Sequence, residues 1–301
     1  MKHSTKKAFS LIEISIVILI IGLLIAGISK ATDMLSDSKL KSARSISRGS
    51  IIPRLSNLVL WLDVSQADSW PDNKRGTQTY TSSTFTDLNP QTPPTVGFKF
   101  TGSFNYTENN GSNLPYLKPN ADISAPSTAV PYSSLFDLNG KGFTLFVVAK
   151  KKATQPLFAF CSEVACSTAG SKILLEFNAS SIAKMTYPKT GSLDEATTAS
   201  AASNFDFGGD KIDIITATAN GSNANIFSFG KNLGKPATAA PLVGFANGLF
   251  VLENGAEIYE IIVVGEFMED SMRQKVEKYL FDKYGVPNNA TARGVTAFAS
   301  S

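Results

Sequence analysis

The sequence predicts a mainly β protein: an antiparallel β-sandwich head carried on a long amino-terminal α-helix, with one carboxy-terminal α-helix packed on the head. Three observations predict it. Residues 9–28 (FSLIEISIVILIIGLLIAGI) are one apolar run broken by a single charge, Glu13. From about Asn57 the pattern turns to short β-branched and aromatic runs separated by Gly, Asn and Ser. Residues 269–284 return to helical spacing. The organisation read from these shifts is a leader at 1–8, a hydrophobic helix and its extension at 9–52, a head at 55–286 and a small polar tail at 287–301.

The amino-terminal run comes first. Twenty residues in a helix rise about 30 Å, the thickness of a bilayer core. Lys2, Lys6 and Lys7 precede it, which favours a cytoplasmic amino end. A secretory signal cleaved after Ala31 is one reading, although the run is longer than a signal core and holds an acid. A plain membrane anchor is another. An isolated acid at the bilayer centre costs on the order of 2.5–3.5 kcal/mol, so Glu13 calls for a partner. The helix is expected to continue through residues 29–48, which contain no proline and place Ala31, Met34, Leu35 and Ile46 at partly helical spacing, and to end at Gly49 and Pro53. Lys30, Lys39, Lys41, Arg44 and Arg48 make its outer part basic.

Six head strands are expected: LVLWLDV (58–64), FTLFVVAK (143–150), KILLEF (172–177), IDIITATA (212–219), ANIFSF (224–229) and EIYEIIVV (257–264). Asn220 and Gly221 mark a hairpin between the fourth and fifth. The closing helix puts Met272, Val276, Leu280 and Tyr284 on one face, with Glu269 or Asp270 at its start and Gly285 and Pro287 at its end.

Composition narrows the chemistry. The only histidine is His3, in the leader, so a processed chain has no histidine for a nucleophile pair or a zinc site. Removing the three leader lysines from 28 basic residues leaves 25 against 25 acidic ones, which gives no argument for nucleic-acid binding. Cys161 and Cys166 are too few for a Cys₄ zinc site. Outside the cytoplasm they read as a local disulfide, with two free buried thiols as the alternative. Asp63, Asp68 and Asp72 are scattered, without the spacing of a calcium loop, so no metal and no cofactor are expected. Five Asn-x-Ser/Thr sequons, at Asn105, Asn110, Asn178, Asn220 and Asn289, read as chance in an Asn/Ser/Thr-rich surface.

The run KKA-FSLIE resembles the processing site of type IV pilins and pseudopilins. The resemblance covers about thirty residues. It implies cleavage between Ala8 and Phe9, N-methylation of Phe9, and an assembly role for Glu13, the fifth mature residue. Ala8 departs from the glycine usual before the cut but is similarly small. The implied partners are other pilin subunits, a prepilin peptidase/methyltransferase and the bacterial inner membrane before assembly, with the head outside the cytoplasm. Buried Glu13 would then pair with a neighbouring subunit's amino end.

The stretch from about Leu58 to Val286 resembles the laminin G-like, or concanavalin A-like, jelly rolls. LVLWLDVS, FTLFVVAKK, IDIITATANGS and AEIYEIIVVGEFMEDSMRQKVEKYLFDKYGV carry that likeness. It implies a fold that lectins, adhesion modules and glycan hydrolases share. The hydrolases need paired carboxylates about 5–5.5 Å apart. Strand KIDIITA offers only Asp213, and strict alternation sends Glu257 and Glu260 to opposite faces, so no enzyme is expected. Trp70, Phe98, Phe104, Tyr106 and Tyr116 are candidates to stack on a sugar, with core filling as the plainer role. The expected function is a structural subunit of a pilus-like filament with an adhesive head for a glycan or cell-surface ligand. The alternatives are a pseudopilin of a secretion machine and a membrane-anchored surface lectin.

Overall fold

The computed structural model describes residues 10–66, 76–91, 97–108, 114–120, 123–125, 142–151, 156–161, 172–177, 183–189, 192–198, 212–220, 223–228, 230–232, 234–235, 249–252 and 256–285. Helix α1 spans Leu11–Arg48 without a break and ends at Gly49, whose N–H returns to the Ser45 carbonyl. A 3₁₀ turn, Ile52–Arg54, holds Pro53 at its second position and buries Ile52. The head then lays down sixteen strands among the described residues: β1 (Leu58–Asp63), β2 (Gly76–Thr86), β3 (Gly97–Glu108), β4 (Tyr116–Pro119), β5 (Ile123–Ala125), β6 (Phe143–Lys151), β7 (Pro156–Cys161), β8 (Lys172–Phe177), β9 (Ala183–Lys189), β10 (Ser192–Thr198), β11 (Asp213–Ala219), β12 (Ala224–Ser228), β13 (Lys231–Asn232), β14 (Gly234–Lys235), β15 (Leu249–Leu252) and β16 (Ala256–Val264). Helix α2, Asp270–Tyr284, closes it.

Each described strand pairing is antiparallel. The hydrogen-bonded path runs β13-β12-β11-β6-β16-β4-β3-β5-β15-β7-β8-β9-β10-β14. Strand β3 is the corner: Thr101 pairs with Ser124 of β5, and residues 104–107 pair with β4. Beyond that corner the sheet folds back until β9 and β10 lie against β12, which makes two layers of one network. The expected fold class is therefore found. All six expected strands are present within a residue or two; β11 and β12 pair antiparallel as expected, with Asn220 N–H on the Asn223 carbonyl at 3.0 Å, while Gly221 lies outside the described residues.

Strands β6, β11 and β16 are apolar along their length because both faces are covered. Leu145, Val147, Ile215, Ala217 and Ile226 share one face of the sheet by register. Phe146, Val148, Ile214, Ile262 and Val264 share the other, where Trp61, Met268, Val276, Tyr279 and Leu280 complete a core beneath α2. Phe104 and Tyr106 on β3 are buried, so they fill the core; Tyr116 is half-buried, and Trp70 lies outside the described residues.

One expectation needs correcting. Glu257 pairs with Lys150 and Glu260 with Val148, two residues apart on β6, because β16 carries an extra residue at Tyr259. That bulge cancels the alternation that would have set the two glutamates on opposite faces.

Candidate assembly helix and its joint with the head

Helix α1 begins on Ser10. Its hydroxyl accepts from Ile12 N–H at 3.4 Å, while the Glu13 carboxylate accepts from Ser10 N–H at 2.8 Å. This is a capping box, legible as S-x-x-E before an apolar run but missed by a reading that looked for an intersubunit partner. Glu13 thus has a local partner at the mouth of its own helix. Ala8 and Phe9 lie outside the described residues. Leu11 is 86% exposed and Met34 71%, and the apolar side chains between them are exposed as well. Among the described residues α1 is the one helix long and apolar enough to cross a membrane. By length and composition it fits an anchor or a signal sequence equally.

The helix meets the head through its last turns. Its buried residues are Ala43 and Ser47. Arg44 donates to the Ser65 carbonyl at 2.7 Å. The Ser47 hydroxyl sits 2.8 Å from Asp63 Oδ2 and 3.2 Å from Tyr279 Oη.

That contact lands on a buried ionic cluster assembled by β1, β16 and α2. Lys283 Nζ lies 2.7 Å from both Asp63 Oδ2 and Glu260 Oε2, and all three side chains are fully buried. Glu260 accepts four bonds: Trp61 Nε1 at 2.8 Å and Tyr279 Oη at 2.6 Å on one oxygen, Lys283 Nζ and Tyr284 Oη (2.9 Å) on the other. Four donors fill the sites of an ionised carboxylate. Asp63 also receives Ser65 N–H and Oγ and Gln66 Nε2.

Burial works against the Asp63 charge, but the Lys283 ammonium and its hydrogen bonds, with those of Ser65 and Ser47, outweigh it and hold this carboxyl below the usual range. Burial lifts the Glu260 carboxyl above its ordinary value, with Lys283 opposing and the Asp63 charge adding to the rise. Tyr279 and Tyr284 are pushed well up by burial and by the two carboxylates, so both remain protonated donors.

Sequence reasoning missed this cluster. The signal was present: Asp63 and Glu260 sit inside apolar strands, and Lys283 falls on the stripe of Val276, Tyr279 and Leu280 at i, i+3, i+4 and i+7. A second buried pair supports α2 further along. Arg273 bonds Glu277 and stacks 3.7 Å above the Phe227 ring, and Thr216 donates to Glu277 at 2.8 Å.

Of the other residues singled out in the sequence, Asp63 is committed to Lys283, and Asp68 and Asp72 lie outside the described residues. Among the described residues no three His, Cys, Asp or Glu side chains gather as a metal-binding group. Cys161 ends β7, and Cys166 lies outside the described residues, as does any bond between them.

No family model matches the chain. No curated protein matches it. Solved structures that resemble it include the binding domain of botulinum neurotoxin DC in complex with SialylT, at 10% identity over 75% of this chain and a TM-score of 0.44. The same domain in complex with rat synaptotagmin II gives 12% identity, 76% and 0.44. The botulinum neurotoxin serotype G binding domain gives 10%, 74% and 0.47. This chain covers about half the length of each, 52%, 52% and 51% respectively. Likeness of this size assigns the chain neither a family nor a ligand.

Proposed function

We propose that this chain is a structural subunit of a type IV pilus-like filament: cleaved between Ala8 and Phe9, inserted through its apolar helix, and assembled by packing that helix against identical ones. The observation that carries the reading is α1 itself. It is an unbroken helix whose apolar side chains from residue 11 to residue 35 are exposed, and it carries one acid at its start. The continuous apolar exposure from Leu11 to Ile28 covers 18 residues, about 27 Å of helix and close to one bilayer core, and Lys30 and Asp33 interrupt it before Met34 and Leu35. The two-layer head is the displayed part, with recognition of a glycan or cell-surface ligand as its role. The reading is non-catalytic: Glu260 is fully buried and saturated, and Glu257 faces Lys150 at 3.6 Å.

One observation favours a second reading, a plain membrane-anchored surface protein. The capping box gives Glu13 a partner within its own chain, so an intersubunit amine is not required to explain the acid. Comparing Glu13→Gln with Glu13→Ala separates the two. Glutamine preserves the capping geometry and removes the charge; alanine removes both. Loss of surface filaments in both variants, with normal membrane levels, supports the filament reading. Behaviour of Glu13→Gln like the parent, with only Glu13→Ala impaired, overturns an ionic assembly role.

A further inference from the structure

We infer that the last turn of α1 is a release point: the helix undocks from the head about residues 49–50 while the head stays folded. This does not depend on the filament reading. Three observations lead to it. First, among the described residues α1 fully buries only Ala43 and Ser47; Ile46 packs half-buried against the head core, and Arg44 adds one hydrogen bond to Ser65. Second, Ser47 is the only α1 residue bonded to the ionic cluster among the described residues, and the cluster does not need it. Without Ser47, Asp63 Oδ2 keeps Lys283 and Gln66, Asp63 Oδ1 keeps Ser65, and the Tyr279 hydroxyl keeps Glu260. No charge of the cluster loses its ionic partner when α1 leaves, so undocking avoids the penalty of an uncompensated buried charge. Third, helix and head leave open space beside this contact. An open groove of about 350 Å³ lies between Lys39, Ser42 and Ile46 of α1 and Leu114, Ile212 and Tyr284 of the head.

The chain immediately beyond holds fast. Ile52 and Leu55 are core residues, so the tether re-enters the head three residues after Gly49. Motion is thereby confined to the helix on one side of residues 49–50.

Amide hydrogen exchange on the full chain in detergent micelles tests this, comparing residues 40–48 with β6 and β11. The expected result in the parent is that 40–48 exchanges at least tenfold faster than β6 and β11. Ser47→Ala should accelerate 40–48 several-fold and leave both strands unchanged. Ser42→Ala, on the groove side, should not accelerate it; alanine's better helix propensity works against the expected change in both variants, so this control reads that effect directly. Equal exchange in 40–48 and the strands, acceleration of all segments together, or no response to Ser47→Ala would each overturn the inference.

Discussion

Lys283→Met is the most informative change to the head. Methionine keeps the length and apolar stem of lysine but removes the ammonium between Asp63 and Glu260, 2.7 Å from each. Breaking a buried pair from one side costs about 3–5 kcal/mol. The remaining donors, Ser65, Ser47 and Gln66 on Asp63 and Trp61, Tyr279 and Tyr284 on Glu260, soften the loss of the second contact. We therefore expect about 3–5 kcal/mol in total, not twice that. With a urea slope of about 2 kcal/mol/M, the midpoint falls by about 1.5–2.5 M.

The pH dependence carries a sign. In the parent, Asp63 is held low, so its contribution is present above the usual carboxylate range and is lost as pH falls through its folded value. Glu260 is raised, so its contribution is present below the usual range and is lost as pH rises through its folded value. The two oppose one another. In the variant both carboxyls are buried without a cation, both fold better protonated, and the deficit shrinks as pH is lowered from 8 to 5. Urea unfolding of the full chain in mild detergent, followed by tryptophan fluorescence, measures both quantities. A deficit below about 1 kcal/mol, or one equal at pH 8 and pH 5, refutes the account of the cluster.

Other outcomes follow from single positions. Gly142 has φ +80°, and a Cβ there would lie 2.3 Å from the Ala219 carbonyl oxygen; Gly142→Ala should lower head stability by about 1–3 kcal/mol in the same assay, with α1 exchange unchanged. A disulfide between Cys161 and Cys166 predicts no thiol labelling under denaturing, non-reducing conditions; two labelled thiols would contradict it.

The parts of the fold legible in the sequence are those where the local pattern and the burial agree. Strands β1, β6, β11 and β16 are buried on both faces and read as dense apolar runs. Helix α2 was legible because Val276 and Leu280 repeat at its buried face. Strands β2 and β3 were not: GTQTYTSSTFT and GFKFTGSFNYTE read as a Gly- and Asn-rich loop. Their period of two survives in the buried Phe104 and Tyr106, with Ser103 and Asn105 between and beside them half-exposed. The ionic cluster was illegible for a different reason. Its three charges lie on β1, β16 and α2, up to 220 residues apart in sequence, and the bulge at Tyr259 shifts the parity on which face assignment rests. At the amino end, attention to a missing partner for Glu13 hid the nearer one, Ser10.

The central claim, that α1 is a processed assembly helix, is tested most directly by mass spectrometry of the mature amino terminus. The account predicts a chain beginning at N-methylated Phe9, with Glu13 as its fifth residue. A chain beginning at Thr32, cut after Ala31, would contradict it, since the apolar segment would then have been removed as a signal and the head secreted with only residues 32–48 of the helix.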